Sequence, residues 1–464
     1  MNQKHLYIPI ETKNREFDAK VLLSCAAAEA GYAVVLGYKK RVLRYLETAQ
    51  PGIFLDKSMP YRKIAQYIHY KKLGHRLVGH DEEGLAPFNT EEYQQRREFC
   101  DATIAHFDAM LTWGEWQAEF IRGKISAQYH GKIMPCGHPR ADLTRRELRG
   151  FYQDAADRIA AQYGRFILIN TNFSFGNHFF GEGGFVKMLA ETGKISDEAH
   201  REFYVALQRH QEQLWKAFIA AIAALHERFP AMTIIVRPHP SENHARWKEV
   251  LPQHENIQVV HEGTIIPWLL AAAVTIHNSC TTGVEAYLLE RPVIAYLPVR
   301  NARFEGYVAN ELAEPAEKQA DLVNAVRRYV EDGQPAAQDA DKQRVANHHI
   351  TSLDGALSCD RIVAILNTIA CGETSGAQKA YRLFQTAKRA CRRFPLLGGA
   401  RSGASPDSAA DDAPEDASKA HKQQKFPGVA LDEVQAAMRQ FQRLLGRFAR
   451  VQAGQLDKDL FRIE

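Results

Sequence analysis

Short apolar runs alternate along the first part of the chain with stretches whose apolar residues recur every three or four positions. The apolar runs predict strands, and the helical spacing, as at Val21, Leu22, Cys25 and Ala28, predicts helices. The predicted strands are residues 5–10, 33–37, 52–55, 75–79, 109–112 and 132–135, and the predicted helices are residues 17–30, 42–48, 61–72 and 90–106. Strands separated by helices are typical of βαβ units in a parallel sheet.

A second series of the same kind follows. Its predicted elements are a long or broken helix at 198–228 and strands at 165–170, 232–236, 257–260, 274–277 and 293–297. Two consecutive series predict an α/β protein with two doubly wound domains, residues 1–145 and 146–372, and a cleft between them. A single large α/β domain is the alternative. Ligands of doubly wound sheets bind beyond the carboxyl ends of the strands, so polar residues that follow strands are the first candidates for a site.

The composition changes in the last part of the chain. Residues 373–425 begin with a basic stretch that has no acid between Glu373 and Asp407 and end in a segment rich in Ala, Ser, Asp and Pro, which predicts a disordered linker. Helical periodicity returns at 429–448, and 459–463 is a predicted strand, so residues 426–464 are expected to form a small helical appendage. The basic stretch 379–401 is either a solvated helix or a segment that docks on the anionic inner face of the cytoplasmic membrane.

Charge and cysteine content exclude several classes of protein. A net charge of +4 over 464 residues is too small for the whole chain to bind nucleic acid. The seven cysteines show no CxxC spacing, which indicates reduced thiols and neither a zinc site nor a disulfide framework. No apolar run is long enough for a signal peptide or a membrane span. We therefore expect a cytoplasmic protein, at most peripheral on the membrane.

Adjacent carboxylates follow the predicted strand 75–79. In the sequence His80-Asp81-Glu82-Glu83-Gly84, repulsion between neighbouring acids is expected to raise the pKa of one of them. A carboxylate with a raised pKa can accept a proton from a hydroxyl group, so Glu82 and Glu83 are candidate catalytic bases. The alternative is an acidic surface loop with a glycine turn.

Two further polar segments follow strands of the second series. Arg237 and His239, in Arg-Pro-His-Pro, can both donate hydrogen bonds to a phosphate, although a rigid solvated turn explains them as well. Residues 277–283, which contain Ser279, Thr281 and Thr282, run into a predicted helix. Hydroxyl groups there cap a helix or bind an anion. Glu285 is placed to reach a ribose hydroxyl, and Asn172 is a lesser candidate for donor binding.

Together these segments carry a resemblance. The chain contains, in this order, an acidic pair before glycine (Glu82, Glu83), a His-Pro pair (His239) and a Ser/Thr group (Ser279, Thr281, Thr282). These motifs resemble those of bacterial sialyltransferases and polysialyltransferases. The resemblance implies a GT-B fold, with the first acid as the base. It also implies that the histidine and the hydroxyl groups hold the CMP of the donor.

A second resemblance covers most of the chain. The chain resembles the "surface carbohydrate biosynthesis protein" family of bacterial polysaccharide loci at residues 7–18, 51–57, 137–142 and 426–464. This sequence departs from that family at His138, where asparagine is expected before Pro139. The resemblance implies a role in capsule or lipopolysaccharide assembly.

The leading hypothesis is a GT-B glycosyltransferase that transfers a sugar acid, such as a sialic-type nonulosonic acid or Kdo, from a CMP-activated donor to a glycan or lipid-linked acceptor. No DxD motif follows a predicted strand, so no metal and no cofactor besides the nucleotide sugar is expected. Glu11, Lys13 and Arg15 are candidates for binding acceptor or sugar, and Arg300 is a further cation near a strand end. The alternatives are CDP-polyol phosphotransfer, UDP-sugar transfer or epimerisation, and a nucleotide-sugar-binding scaffold without activity.

Overall fold

The computed structural model describes residues 3–85, 89–179, 181, 183–193, 195–336, 338–371, 374–393 and 425–464. The chain divides into two compact units, each built on one sheet. The first unit consists of Met1–Gly84, Gln94–Leu143 and Asn347–Glu464, and the second of Leu85–Tyr93 and Thr144–Ala346. This division differs from the predicted boundaries at 145 and 372, because the segments after Ala346 return to the first unit.

Six parallel strands form the main part of the first sheet. They are β1 (Lys4–Ile10), β2 (Tyr32–Tyr38), β3 (Ile53–Asp56), β4 (Arg76–His80), β5 (Ala109–Thr112) and β6 (Ile133–Pro135). Their order is β2-β1-β3-β4-β5-β6, so the direction in which strands are added reverses at β1, which pairs with both β2 and β3. The carboxyl ends of β1 and β3 flank this reversal.

The second sheet is parallel throughout. Its strands are β7 (Phe166–Asn170), β8 (Thr233–Arg237), β9 (Ile257–Val259), β10 (Val274–His277), β11 (Val293–Tyr296) and β12 (Glu314–Ala316). The order β12-β11-β10-β7-β8-β9 is that of a dinucleotide-binding Rossmann sheet, with its reversal between β7 and β10. Ile167, Phe218 and Trp247 are fully buried in the core that covers it.

Helices connect nearly all of the parallel strands. The α-helices are Lys13–Glu29, Lys39–Leu46, Ile64–Lys72, Thr90–Arg97, Asp101–Ile104, Glu115–Arg122, Pro139–Asp142, Gln153–Tyr163, Gly184–Glu191, Glu198–Arg228, His244–Val250, Ile266–Ala271, Thr282–Leu288, Val308–Leu312, Gln319–Val330, Ala340–His349, Ser358–Thr368, Gly376–Arg393 and Leu431–Leu445. Short 3-10 helices occur at Tyr61–Lys63, Ala127–Lys132 and Arg149–Tyr152. The helix predicted at 90–106 is two helices, because Glu98 between them adopts a left-handed conformation with φ 54°.

The end of the chain completes the first sheet. Two further strands, β13 (Ala453–Asp457) and β14 (Leu460–Ile463), form an antiparallel hairpin, and β14 pairs antiparallel with β2. Helix Leu431–Leu445 packs against helix Lys13–Glu29. The tail expected as a separate appendage is therefore an integral part of the first unit.

The architecture confirms the predicted fold class, α/β with two doubly wound, Rossmann-like domains. In the described ranges, no helix is long and apolar enough to cross a membrane. The predicted linker lies outside the described residues except for Lys425.

Candidate functional site

Glu82 lies just beyond the carboxyl end of β4 and is 7% exposed. Its Oε1 is 3.0 Å from Nζ of Lys20, and its Oε2 is 3.3 Å from Nε2 of His138. Each carboxylate oxygen has two lone pairs, so these contacts leave acceptor capacity on both. Glu82 lines a small recess in the first unit together with Lys57, His80 and both of its partners.

Lys20 connects Glu82 to the loop that follows β1. Its ammonium group donates to the carbonyl of Pro9 and to Oε2 of Glu16, both at 2.7 Å. Glu16 in turn accepts the backbone N–H groups of Glu11 and Thr12, which fixes the first residues after the strand. Burial alone would lower the pKa of Lys20, but the Glu16 and Glu82 carboxylates raise it above its ordinary value. Lys20 therefore remains charged beside Glu82.

His138 holds the other oxygen of Glu82. Its Nδ1 accepts the backbone N–H of Arg140 at 3.2 Å, so we assign the ring proton to Nε2, which donates it to Glu82. The indole of Trp113 stacks on the imidazole with ring centres 4.0 Å apart and an interplanar angle of 6°. Burial lowers the pKa of His138 and outweighs the effect of Glu82 in the opposite direction, so the ring is neutral. The residue that departs from the family resemblance thus orients the candidate base.

The expected rise in the pKa of an acid in this loop is wrong. Burial would raise the pKa of Glu82, but the charge of Lys20 and the hydrogen bond from His138 hold it well below its ordinary value. The neighbouring acids do not repel it as expected, because Asp81 pairs with Arg97 and Glu83 pairs with Arg15, each at 3.0 Å. The guanidinium of Arg15 also lowers the pKa of Glu83.

The three residues predicted to bind acceptor or sugar all make ion pairs in the first unit. Glu11 lies between the ammonium groups of Lys39 and Lys57, each at 3.0 Å. Lys13 is 2.6 Å from Glu433 and donates to the Gly428 carbonyl, so it ties helix Lys13–Glu29 to the tail of the chain. Arg15, as described, pairs with Glu83.

In the second unit, the loops after β7 and β10 are joined at the reversal of the sheet. Asn278 accepts the backbone N–H of Asn172 at 2.7 Å through Oδ1 and donates from Nδ2 to the Asn172 carbonyl at 3.2 Å. This side chain thus acts as a bridge between two loops that are far apart in the sequence. The crevice at such a reversal is where doubly wound sheets bind nucleotides.

His239 belongs to a hydrogen-bond chain that reaches this bridge. Its Nδ1 accepts the backbone N–H of Ser241 at 3.3 Å and lies 3.1 Å from Oγ of Ser174, which donates to Oδ1 of Asn172 at 3.2 Å. Since Nδ1 accepts, we place the proton on Nε2, the atom with which His239 would donate to a ligand.

Glu242 holds together the loops that follow β7 and β8 and was not predicted from the sequence. It is almost fully buried, and its Oε1 accepts hydrogen bonds from the Thr171 hydroxyl and from the backbone N–H groups of Phe173 and His239. Its other oxygen accepts the indole N–H of Trp247 at 2.8 Å. Burial raises the pKa of Glu242.

Arg237 has a different environment from the one expected of a phosphate ligand. Its guanidinium donates to the carbonyls of Glu262 and Gly263 at 2.7 and 2.6 Å and lies over the ring of Trp268. Burial lowers its pKa to about 10. Arg237 thus fastens the end of β8 to the loop that follows β9. The other candidate cation, Arg300, pairs with Glu305 and Glu317.

The hydroxyl segment follows β10. Ser279 adopts a left-handed conformation with φ 54°, and its Oγ accepts a hydrogen bond from Asn310 at 2.9 Å. Thr281 is the residue before helix Thr282–Leu288, and Glu285 lies in the first turn of that helix. The Thr282 hydroxyl is buried and has no hydrogen-bond partner among the described residues. Throughout the part of the chain that the structure describes, no group of three or more His, Cys, Asp or Glu is arranged to hold a metal ion.

Solved structures with similar architecture include a UDP-GlcNAc 2-epimerase of Methanocaldococcus jannaschii in complex with UDP-GlcNAc and UDP. It is 14% identical, with a TM-score of 0.49, and the match covers 79% of this chain and 100% of the epimerase. The wall teichoic acid polymerase TagF is 12% identical over 79% of this chain and 88% of its own, with a TM-score of 0.45. S. aureus MnaA bound to UDP is 12% identical, and the match covers 80% of this chain and 99% of MnaA, with a TM-score of 0.44. No protein-family model and no curated protein matches this chain.

Proposed function

We propose that this chain is a glycosyltransferase that takes its sugar from a nucleotide-activated donor. The observation that carries the proposal is the hydrogen-bonded network at the reversal of the second sheet. There Asn172, Asn278 and His239 join three loops that follow β7, β10 and β8. Such a preorganised polar crevice at the carboxyl end of a Rossmann sheet is suited to a nucleotide.

In this proposal the second unit holds the nucleotide. The Nε2–H of His239 and the hydroxyl groups of Ser279, Thr281 and Thr282 would donate to the phosphate, and Glu285 would accept from the ribose. As the bond between the anomeric carbon and the phosphate oxygen breaks, the nucleotide leaves with the electron pair. Hydrogen bonds to that oxygen strengthen as its charge develops, which lowers the barrier to transfer.

The first unit would supply the base. Lys20 and His138 hold Glu82 ionised and in one orientation, and its remaining acceptor capacity can take the proton of an acceptor hydroxyl as that oxygen bonds to the anomeric carbon. A carboxylate with a lowered pKa is a weaker base than the sequence suggested. Proton transfer is then expected late in the reaction, when the attacking oxygen has become acidic.

The donor we propose is a CMP-activated sugar acid, and the pathway is assembly of a bacterial surface polysaccharide. The order of the acidic pair, the His-Pro pair and the Ser/Thr group supports this choice, since the three motifs follow β4, β8 and β10. Lys57 and Lys39, which the sequence did not single out, add positive charge near the end of β1 and are partners for an acidic substrate.

Calorimetric titration with CMP, CDP, UDP and GDP tests the nucleotide assignment. We expect CMP to bind most tightly. His239→Ala should weaken CMP binding by about 10- to 100-fold, because losing a hydrogen bond to a charged group costs roughly 1.5–3 kcal/mol. His254→Ala is the matched control, because this exposed histidine precedes β9 and lies at the amino end of the strands. Equal CMP affinity in His239→Ala and the parent contradicts the donor site, and a clear preference for CDP favours polyol-phosphate transfer.

A further inference from the structure

Helix Gly376–Arg393 contacts the first unit through its polar side. The guanidinium of Arg382 donates to the backbone carbonyls of Leu73 at 3.1 Å and Ala49 at 2.7 Å. Gln378, one turn earlier, donates to the Lys71 carbonyl at 3.2 Å. The Tyr381 hydroxyl is 2.9 Å from Nδ1 of His69. These contacts fix which side of the helix faces the protein.

The opposite side of the helix is apolar and exposed. Leu383 is 73% exposed and Phe384 is 61% exposed, and Ala380 and Ala387 are also exposed. The spacing of these four residues, which we call the apolar stripe, places them on one face of the helix. A surface helix of a soluble protein ordinarily turns its apolar stripe to the core. Here the polar side is docked and the apolar stripe faces away.

Positive charge surrounds the stripe. Lys379 and Lys388 are exposed at its two ends, and the sequence continues with Arg389, Arg392 and Arg393. No Asp or Glu occurs between Glu373 and Asp407. An apolar face bordered by cations without acids is the pattern of a helix that lies in the interface of an anionic membrane.

We propose that the apolar stripe docks this protein on the surface of a membrane containing anionic lipid. The charges decide between this occupant and a second copy of the chain. Two copies joined through the stripe would bring Lys379 and Lys388 of both helices together, and this like-charge repulsion opposes association. Anionic headgroups neutralise the same charges while the bilayer interface takes up Leu383 and Phe384. The inference stands apart from the proposed glycosyltransferase activity, because membrane binding is measured without substrate.

Flotation of the full chain with vesicles of phosphatidylcholine, with and without phosphatidylglycerol, tests the proposal. We expect binding only with the anionic lipid, and weaker binding at high salt. The double variant Leu383→Gln/Phe384→Gln should lower the partition coefficient on the order of tenfold or more. Lys379→Gln/Lys388→Gln should lower it on the order of fivefold for each lysine at low salt. Leu456→Gln is the matched control, since Leu456 is 40% exposed on the hairpin strand β13.

Three outcomes overturn the proposal. The first is vesicle binding that does not change in the Leu383→Gln/Phe384→Gln variant or does not depend on anionic lipid. The second is self-association without lipid that this variant abolishes, which assigns the stripe to a second copy. The third is a clear fall in the melting temperature of this variant without lipid, since substitution of exposed side chains should leave stability nearly unchanged. That fall would show that the chain itself covers the stripe.

Discussion

The imidazole of His277 lies directly against the backbone of Gly283. A Cβ atom at position 283 would come within 2.4 Å of Nε2 of His277, whose ring is fully buried and whose Nδ1 accepts the Cys280 N–H. This packing shapes the segment that carries Ser279, Thr281 and Thr282. Glycine is therefore needed here for close approach, and any side chain must displace the ring or the start of the helix.

We accordingly expect Gly283→Ala to destabilise the protein by about 1–3 kcal/mol, the usual cost of overpacking, and to weaken CMP binding. Urea denaturation and calorimetry measure the two effects. Gly131→Ala is the control, because a Cβ there meets no atom within 4 Å, and it should be neutral or slightly stabilising. A Gly283→Ala variant with parental stability and CMP affinity would show that the segment moves to accommodate the added methyl group at little cost.

His277 also predicts a dependence of stability on pH. Burial lowers its pKa to about 3, whereas in the unfolded chain it is about 6.5. Below pH 6.5 the unfolded chain binds a proton that the folded protein refuses, so stability falls as the pH drops from about 6.5 towards 3. At pH 5 the loss from this residue alone is about 2 kcal/mol.

The variant His277→Gln lacks this titration. Its free energy of unfolding, measured with urea at pH 7.5 and pH 5, is expected to change less with pH than that of the parent by about 2 kcal/mol. Other histidines, such as the buried His75 and the half-buried His261, have lowered pKa values too and contribute equally to both proteins. An equal change in the free energy of unfolding between the two pH values for variant and parent would mean that His277 is protonated in the folded state or does not titrate on unfolding.

At the scale of elements, the local pattern predicted most of the parallel strands and several of the helices. Strand β1 was predicted at 5–10 and is Lys4–Ile10, and β14 was predicted at 459–463 and is Leu460–Ile463. The pattern could not show that β14 pairs with β2, because strand pairing depends on contacts between residues more than 400 positions apart in the register Phe461 to Leu36. The strand β13 was missed, since its side chains are mostly exposed and give no apolar run.

The same limit applies to the candidate site. Glu82 was identified because an acidic pair after a predicted strand is a local signal. Its partners were not, because Lys20 lies on helix Lys13–Glu29 and His138 follows β6, and only the folded sheet brings them to Glu82. Glu242 was not predicted for the same reason, and Asn278 lay in the candidate segment 277–283 without a role of its own. A single acid or amide near a strand end gives no sign in the sequence that it holds two loops together.

The pairing of β14 gives a test at the element scale. Phe461 is 1% exposed in the first unit, so Phe461→Ala should destabilise the protein by about 3–5 kcal/mol through the lost contacts and the cavity. Phe384→Ala makes the same chemical change at an exposed position and should alter stability by less than about 0.5 kcal/mol. Thermal unfolding in the absence of lipid measures both. A mild effect of Phe461→Ala would mean that the tail is a loosely held appendage, as the sequence alone suggested.

At the scale of the whole molecule, polar groups concentrate beyond the carboxyl ends of the strands in each sheet. In the first unit these are buried charges around Glu82, and in the second they are mainly neutral amides, hydroxyl groups and imidazoles around Asn278. A nucleotide needs hydrogen-bond donors and acceptors at fixed positions, whereas proton transfer needs a charged group held in one orientation. This difference in composition supports a division of labour between the two units.

The division of labour predicts that Glu82→Gln separates binding from catalysis. The amide keeps the shape of the side chain but cannot accept the proton, so kcat should fall by about 10²–10⁴ while CMP affinity stays at the parental value. Glu83→Gln is the matched control, since it removes only a partly exposed ion pair with Arg15 and should keep most of the activity. Steady-state kinetics with a CMP-sugar, calorimetry with CMP and thermal unfolding are measured on all three proteins. Unchanged kcat in Glu82→Gln removes the base from the proposal, and a joint loss of CMP affinity and thermal stability shows instead that Glu82 holds the fold together.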